Sequence, residues 1–245
     1  MTRGVGIQRV SKLALKLLGP PVLEADGHLV EIGRRKALAL LAYLTATQQP
    51  HSRDALATLF WPGCGQSKAR ANLRTALSTL HQALGEGLLV TEQETVKLVP
   101  GQRLWDDLRQ FYSLLEGCPA HTRPASTGCP ECLSMLEQAA ALYRNDFLFG
   151  FSLPDCRDFD EWQFMQAERL RAELSSALRS LAEGCAADGL LEQAIGHARR
   201  WLALDPLEEA AHRELMRLYV ANGQQAAALR QYRACVRVMH EELDT

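Results

Sequence analysis

Four residues with metal-ligating side chains stand close together in this 245-residue chain: Cys118 and His121, then Cys129 and Cys132. The pattern is C-x2-H, seven residues, then C-x2-C. Zinc takes four tetrahedral Cys and His ligands, and a two-residue spacing lets both members of a pair reach one ion from a tight turn. Four protein ligands would close the site, so a bound zinc would be structural and not hydrolytic. The intervening Thr122, Arg123, Pro124, Ala125, Ser126, Thr127 and Gly128 form a loop with no core of its own, and metal would give it a reason to be ordered. Two other fates remain open for these side chains: reduced thiols without metal, or a redox-formed bond between Cys129 and Cys132. Cys64, Cys156, Cys185 and Cys235 are scattered and expected to be buried or inert.

A second group of residues suits a polyanion. Between Ser67 and Leu84, Leu73, Leu77, Leu80 and Leu84 recur at i, i+4, i+7 and i+11, which predicts a helix with one buried stripe. At 100° per residue the opposite face carries Ser67, Lys68, Ala71, Thr75, Ser78 and Gln82. Arg70 and Arg74 fall on one flank and Asn72 on the other. Small and hydroxyl side chains let a helix approach base edges, while Arg and Lys reach phosphates or guanine. The same face would also serve as an ordinary solvated surface.

Other segments must position these two groups. Val22-Leu23-Glu24 and His28 to Ile32 flank Asp26-Gly27, a hairpin signal. Arg35 to Ala46 reads as an apolar helix buried on more than one side. Ser52 is placed to cap the next helix, which Trp61-Pro62-Gly63 ends, and Ser67 to cap the third. Leu88 to Thr91 and Thr95 to Val99 then form a second hairpin. Sheet, three helices and hairpin in this order predict a winged helix-turn-helix. Its hairpin tip, Glu92-Gln93-Glu94, repels phosphate and has only Lys97 nearby, so the hairpin is expected to act as a spacer and not enter the minor groove.

The C-terminal half repeats. Gly189 and Gly223, Ala194 and Ala228, and Leu181 and Leu215 each lie 34 residues apart, the period of tetratricopeptide-type helical hairpins. Leu215, Leu218 and Tyr219 are expected to face inward from one helix, and Leu229 and Tyr232 from the next. Asp205 is expected to cap a helix with Pro206 in its first turn. Such an array offers a surface and no catalytic group.

Charge divides the same way: residues 1–115 hold 14 Lys and Arg against 9 Asp and Glu, and residues 116–245 hold 13 against 20. A basic half joined to an acidic half fits one part facing a polyanion and another facing proteins. No phosphate-binding, nucleophile-elbow or dinucleotide-binding glycine pattern occurs. His28, His51, His81, His197, His212 and His240 have no nucleophile or metal partner in sequence. The chain is therefore expected not to be an enzyme. Without a signal peptide or membrane span it is expected in the cytoplasm, its cysteines reduced.

The residues Leu17-Leu18-Gly19, Arg35 to Leu44, Leu59-Phe60-Trp61-Pro62 and Ala69 to Arg74 resemble the response-regulator-type winged helix of the SARP family of bacterial transcriptional regulators. Trp105 to Phe111, Ala139 to Leu148, Glu161-Trp162, Leu204 to Arg213 and Leu229 to Cys235 resemble the bacterial transcriptional activator domain that follows it. The resemblance implies a mainly α chain: a winged-helix DNA-binding domain at 1–105 and a TPR-like repeat domain at 106–245, with the Cys/His loop at 118–132. It implies a sequence-specific regulator, expected to activate, bound to double-stranded DNA through Arg70, Asn72, Arg74, Thr75 and Ser78. Lys68, Arg34, Arg35 and Lys36 are weaker phosphate candidates. The repeats would contact RNA polymerase or a second copy in a homodimer. The competing expectation is a protein-interaction adaptor whose winged helix does not bind DNA. Relatives often continue into an ATPase and further repeats.

Overall fold

A computed structural model describes residues 12–99, 103–118, 120 and 128–243. The chain is mainly α and packs as two units that are not continuous in sequence: residues 1–110 with 144–167, and residues 111–143 with 168–245.

The first unit begins with β1 (Leu13–Lys16), β2 (Val22–Ala25) and β3 (His28–Leu29). Asp26 and Gly27 turn the β2–β3 hairpin with φ of 50° and 83°, the left-handed pair that an Asp-Gly turn supplies. β7 (Leu104–Asp106) adds parallel to β1, pairing Leu13 with Leu104 and completing the sheet order β3-β2-β1-β7. Past the end of β1, the Asp107 carboxylate accepts hydrogen bonds from the Leu17 N–H at 2.7 and 2.9 Å and from the Leu18 N–H at 3.0 Å. Arg144 completes an ion pair with it at 3.5 Å. Two buried amides thus find an acceptor 90 and 89 residues away.

Three helices follow the first hairpin: α1 (Arg35–Thr47), α2 (Arg53–Phe60) and α3 (Gln66–Leu84). Between α1 and α2 lies β4 (His51–Ser52), which pairs with β6 (Thr95–Leu98), and β6 pairs with β5 (Leu89–Thr91). Ser52 caps α2 as expected, its Oγ accepting from the Ala55 N–H at 3.1 Å. Ser67 does not cap α3. That helix starts two residues earlier, with Gly65 in the cap position, so Ser67 lies in its first turn. The order of elements is that of a winged helix-turn-helix, and β5–β6 is its wing.

The segment 144–167, which the sequence placed in the repeat domain, packs in this first unit. Phe147, Phe159 and Trp162 join Tyr43 and Phe60 in an aromatic cluster with ring centroids 4.7 to 6.0 Å apart. The Cys156 thiol donates to the Phe60 carbonyl at 3.0 Å.

In the second unit are α4 (Asp107–Leu115), from Phe111 onward, α5 (Pro130–Leu142), and α6 (Arg157–Ala187) beyond Ala167. These are followed by α7 (Leu191–Leu204), α8 (Glu209–Ala221) and α9 (Gln225–Leu243). The period of 34 is visible in backbone geometry. Gly189 and Gly223 take φ of 74° and 71°. Each is followed by the same 6→1 bond, from the Leu190 N–H to the Cys185 carbonyl and from the Gln224 N–H to the Tyr219 carbonyl, both 2.8 Å. Ala182, Ala194, Ile195, Ala198, Leu215, Leu218, Tyr219 and Ala228 form the shared core.

Two expectations fail in this unit. Glu208, not Asp205, caps α8, because Asp205 spends its carboxylate on the Leu207 N–H inside a preceding turn. Leu229 and Tyr232 do not face inward: they are 58% and 57% exposed, and Val236 beside them is 50% exposed. Ala228 takes the buried position, and its small side chain admits the close approach of α8 and α9. His212 is a satisfied core histidine, between the Pro206 carbonyl at 2.9 Å and the Gln231 amide at 2.7 Å.

Candidate nucleic-acid interface and thiol cluster

α3 has two unlike faces. Leu73, Leu77, Leu80 and Leu84 are buried with Ala69 and Ala76, while Ser67, Lys68, Arg70, Arg74, Thr75 and Ser78 are exposed. The Thr75 hydroxyl donates to the Ala71 carbonyl one turn back at 3.2 Å and keeps its acceptor capacity outward.

The other residues singled out in the sequence are differently disposed. Asn72 is half-buried, its amide turned toward the Cys64 sulfur at 4.0 Å and off the exposed face. Arg70 forms a bidentate pair with Asp54 of α2, Nε to Oδ1 at 2.5 Å and Nη2 to Oδ2 at 2.6 Å, bracing the two helices. Arg70 and Gln66 hold the Asp54 carboxyl below its ordinary range, and Asp54 in turn raises Arg70. Arg34 is exposed at the start of α1. Arg35 donates to the Ser152 carbonyl at 2.8 Å and stacks over Phe151. Lys36 reaches the Phe60 carbonyl at 2.7 Å and Asp155 at 2.6 Å, above the Trp61 ring. Both of these cations are engaged within the protein. Their partners in segment 144–167 could not be read from adjacency in sequence.

The structure also brings in a residue the sequence reading passed over. Arg53 joins Ser67, Arg70, Leu73, Arg74 and Gln93 around a cleft of about 280 Å³ beside the first turns of α3. Its Nε is buried with no protein hydrogen-bond partner. Helix N-termini and guanidinium groups together favour an anion. Across the cleft the wing tip is acidic: Glu92, Gln93 and Glu94 are exposed, and Lys97 lies 3.9 Å from Glu92.

The thiol cluster lies in the second unit. Cys129 occupies the cap position of α5, Pro130 its first turn, and Cys132 the third helical position, facing inward. Cys118 follows α4 by three residues. Its Sγ is 3.8 Å from that of Cys129 and 3.5 Å from that of Cys132, and all three sulfurs lie within 4.8 Å of one another. None is in a disulfide. Burial, reinforced by Cys132 and Cys129, pushes the Cys118 thiol up to about 11, which does not suit a nucleophile. His121 lies outside the described residues. Of the scattered cysteines, Cys156 and Cys185 are buried and Cys64 and Cys235 half-buried.

A winged helix with a polar-faced third helix, followed by paired helices of constant period, is an architecture that comparison with known proteins identifies as a transcriptional regulator of the SARP type. Residues 107–245 match the family model described as the bacterial transcriptional activator domain, and the chain belongs to that family. It is similar to the transcriptional regulatory protein MoaR1 of Mycobacterium tuberculosis, 28% identical over 235 residues, which cover 93% of this chain and 73% of that protein. It is likewise similar to the transcriptional regulatory protein EmbR of the same organism, 28% identical over 238 residues, 95% of this chain and 59% of that one. The solved structure of M. tuberculosis EmbR in complex with a low-affinity phosphopeptide superposes with a TM-score of 0.77 at 26% identity, covering 96% of this chain and 62% of that chain. The chain thus spans about three fifths of EmbR. Among the described residues, no helix is long and apolar enough to cross a membrane.

Proposed function

We propose that this regulator binds double-stranded DNA sequence-specifically in the cytoplasm, with α3 in the major groove, and activates transcription without catalysing a reaction. The observation that carries the reading is the exposed face of α3. Lys68, Arg74, Thr75 and Ser78 project from it with no bulky side chain to hold the helix off the bases. Arg74 is the candidate for guanine, Thr75 and Ser78 for base or phosphate oxygens, and Lys68 for the backbone. Arg53, whose Nε has no protein partner, lines a place for one phosphate at the helix start, beside Arg70 held by Asp54. Arg34 remains a backbone candidate, whereas Asn72, Arg35 and Lys36 leave the contact set because their polar groups are turned or engaged elsewhere.

The repeats supply the protein-facing half of the function. Leu229, Tyr232 and Val236, at i, i+3 and i+7 on α9, form an exposed apolar stripe suited to a second copy of the chain or to RNA polymerase. A second reading, an adaptor whose winged helix does not bind DNA, is favoured by the exposed Glu92 and Glu94 beside the arginine-lined cleft.

Fluorescence anisotropy on duplexes tiled across the DNA upstream of the protein's own operon separates the two. Binding to one tile that weakens with salt and is lost in Lys68→Ala/Arg74→Ala supports the regulator. Equal affinity for every tile, unchanged in the double variant, gives the function to the adaptor.

A further inference from the structure

We propose that Cys118, Cys129 and Cys132 bind one zinc ion that clamps the end of α4 to the start of α5. The sulfur geometry carries this. A regular tetrahedron with zinc–sulfur bonds of about 2.3 Å has sulfur–sulfur edges of about 3.8 Å. The two edges from Cys118 are 3.8 and 3.5 Å. A disulfide has sulfurs about 2.05 Å apart; none of the three is in one, and their spacing matches the edges of a tetrahedron around a shared ion.

Two of the three ligands sit on the backbone of α5. Cys129 and Cys132 are fixed by the first turn of α5, whose ladder opens with the Leu133 N–H donating to the Cys129 carbonyl at 3.0 Å. The far end of α5 is held by Arg200, which donates to the carbonyls of Ala140 at 2.6 Å and Tyr143 at 3.0 Å. Helix N-terminal amides favour thiolates at the cap and first turn. The three sulfurs are the metal-ligating atoms that the described residues bring together here. Binding exchanges thiol protons for one divalent cation with no redox change, the protons passing to solvent. The ion's task is mechanical, and it stands whether or not α3 reads DNA.

The test uses the full chain without a polyhistidine tag, expressed with zinc and purified without chelator. Elemental analysis is expected to find about one zinc per chain, released when a mercurial blocks the thiols. Replacement by cobalt(II) is expected to give the intense visible bands of a tetrahedral ion and a near-ultraviolet thiolate charge-transfer band. Cys118→Ser and Cys132→Ser are each expected to lose the metal at least tenfold, while Cys64→Ser retains it. Chelation is expected to lower Tm by about 5 °C or more. A metal-free chain that yields no cobalt spectrum on titration overturns the proposal, and this reading needs no variant to fold. So does a Cys129–Cys132 disulfide as the main species in anaerobically purified protein.

Discussion

α3 and α9 are both 19 residues long and both amphipathic, yet they spend their apolar residues in opposite ways. α3 buries four leucines and shows solvent a basic and hydroxyl face. Among its described side chains α9 buries only Ala228 fully and exposes a leucine, a tyrosine and a valine. Apolar periodicity therefore tells where a helix has a face. It does not tell what covers that face: in α3 the cover is the rest of the unit, and in α9 nothing in the same chain supplies it among the described residues.

The largest expected effect sets the two helices against each other. Leu77→Ala in α3 should cost about 2–5 kcal/mol in denaturant unfolding, since a fully packed leucine leaves a cavity. Leu229→Ala in α9 should stay within about 0.5 kcal/mol. Equal costs would mean that α9 is covered in solution as α3 is.

Next in size, Arg74→Ala should weaken binding to the preferred duplex by about 1–3 kcal/mol and leave Tm unchanged, as expected of an exposed guanine contact. An affinity equal to that of the parent chain would remove Arg74 from the interface. Leu229→Glu with Tyr232→Glu then asks what α9 faces. Sedimentation velocity should show a dimeric chain become monomeric if the partner is a second copy. A chain monomeric before and after would assign the stripe to a different protein.

The smallest effect concerns the Arg70–Asp54 brace. Asp54 has a folded-state pKa below its unfolded one, so its contribution is present above the unfolded value and fades as pH falls through the folded one. The pair is solvent-exposed and salt weakens it further. Carboxyl NMR should show Asp54 titrating below the ordinary range and returning to it in Arg70→Ala. No change in that variant would sink the pairing.

Much of the first unit was legible because its signals are local. Asp26-Gly27 needs only its own left-handed backbone, Ser52 caps from three residues away, and the leucines of α3 declare their own period. The glycines 34 residues apart were readable for the same reason. What escaped was long-range. Lys36 and Arg35 looked available until segment 144–167 supplied Asp155, Ser152 and Phe151. Arg53 gave no sign of joining a cleft with Arg74, because nothing in a one-dimensional spacing brings the start of α2 beside α3. Tyr232 read as core because it stands at helical spacing from Leu229, and no local rule reveals a missing neighbour.

Asp107 is the first residue matched by the activator-domain family, yet its carboxylate accepts the amides of Leu17 and Leu18 in the first unit. The family boundary is therefore a poor place to cut. A gene fragment ending at 106 would leave two amides without their acceptor, at about 1–3 kcal/mol each. It would also strip the aromatic cluster of Phe147, Phe159 and Trp162. An exchange of whole activator domains keeps the first unit intact only if the incoming segment brings a matching aspartate and a matching aromatic clasp.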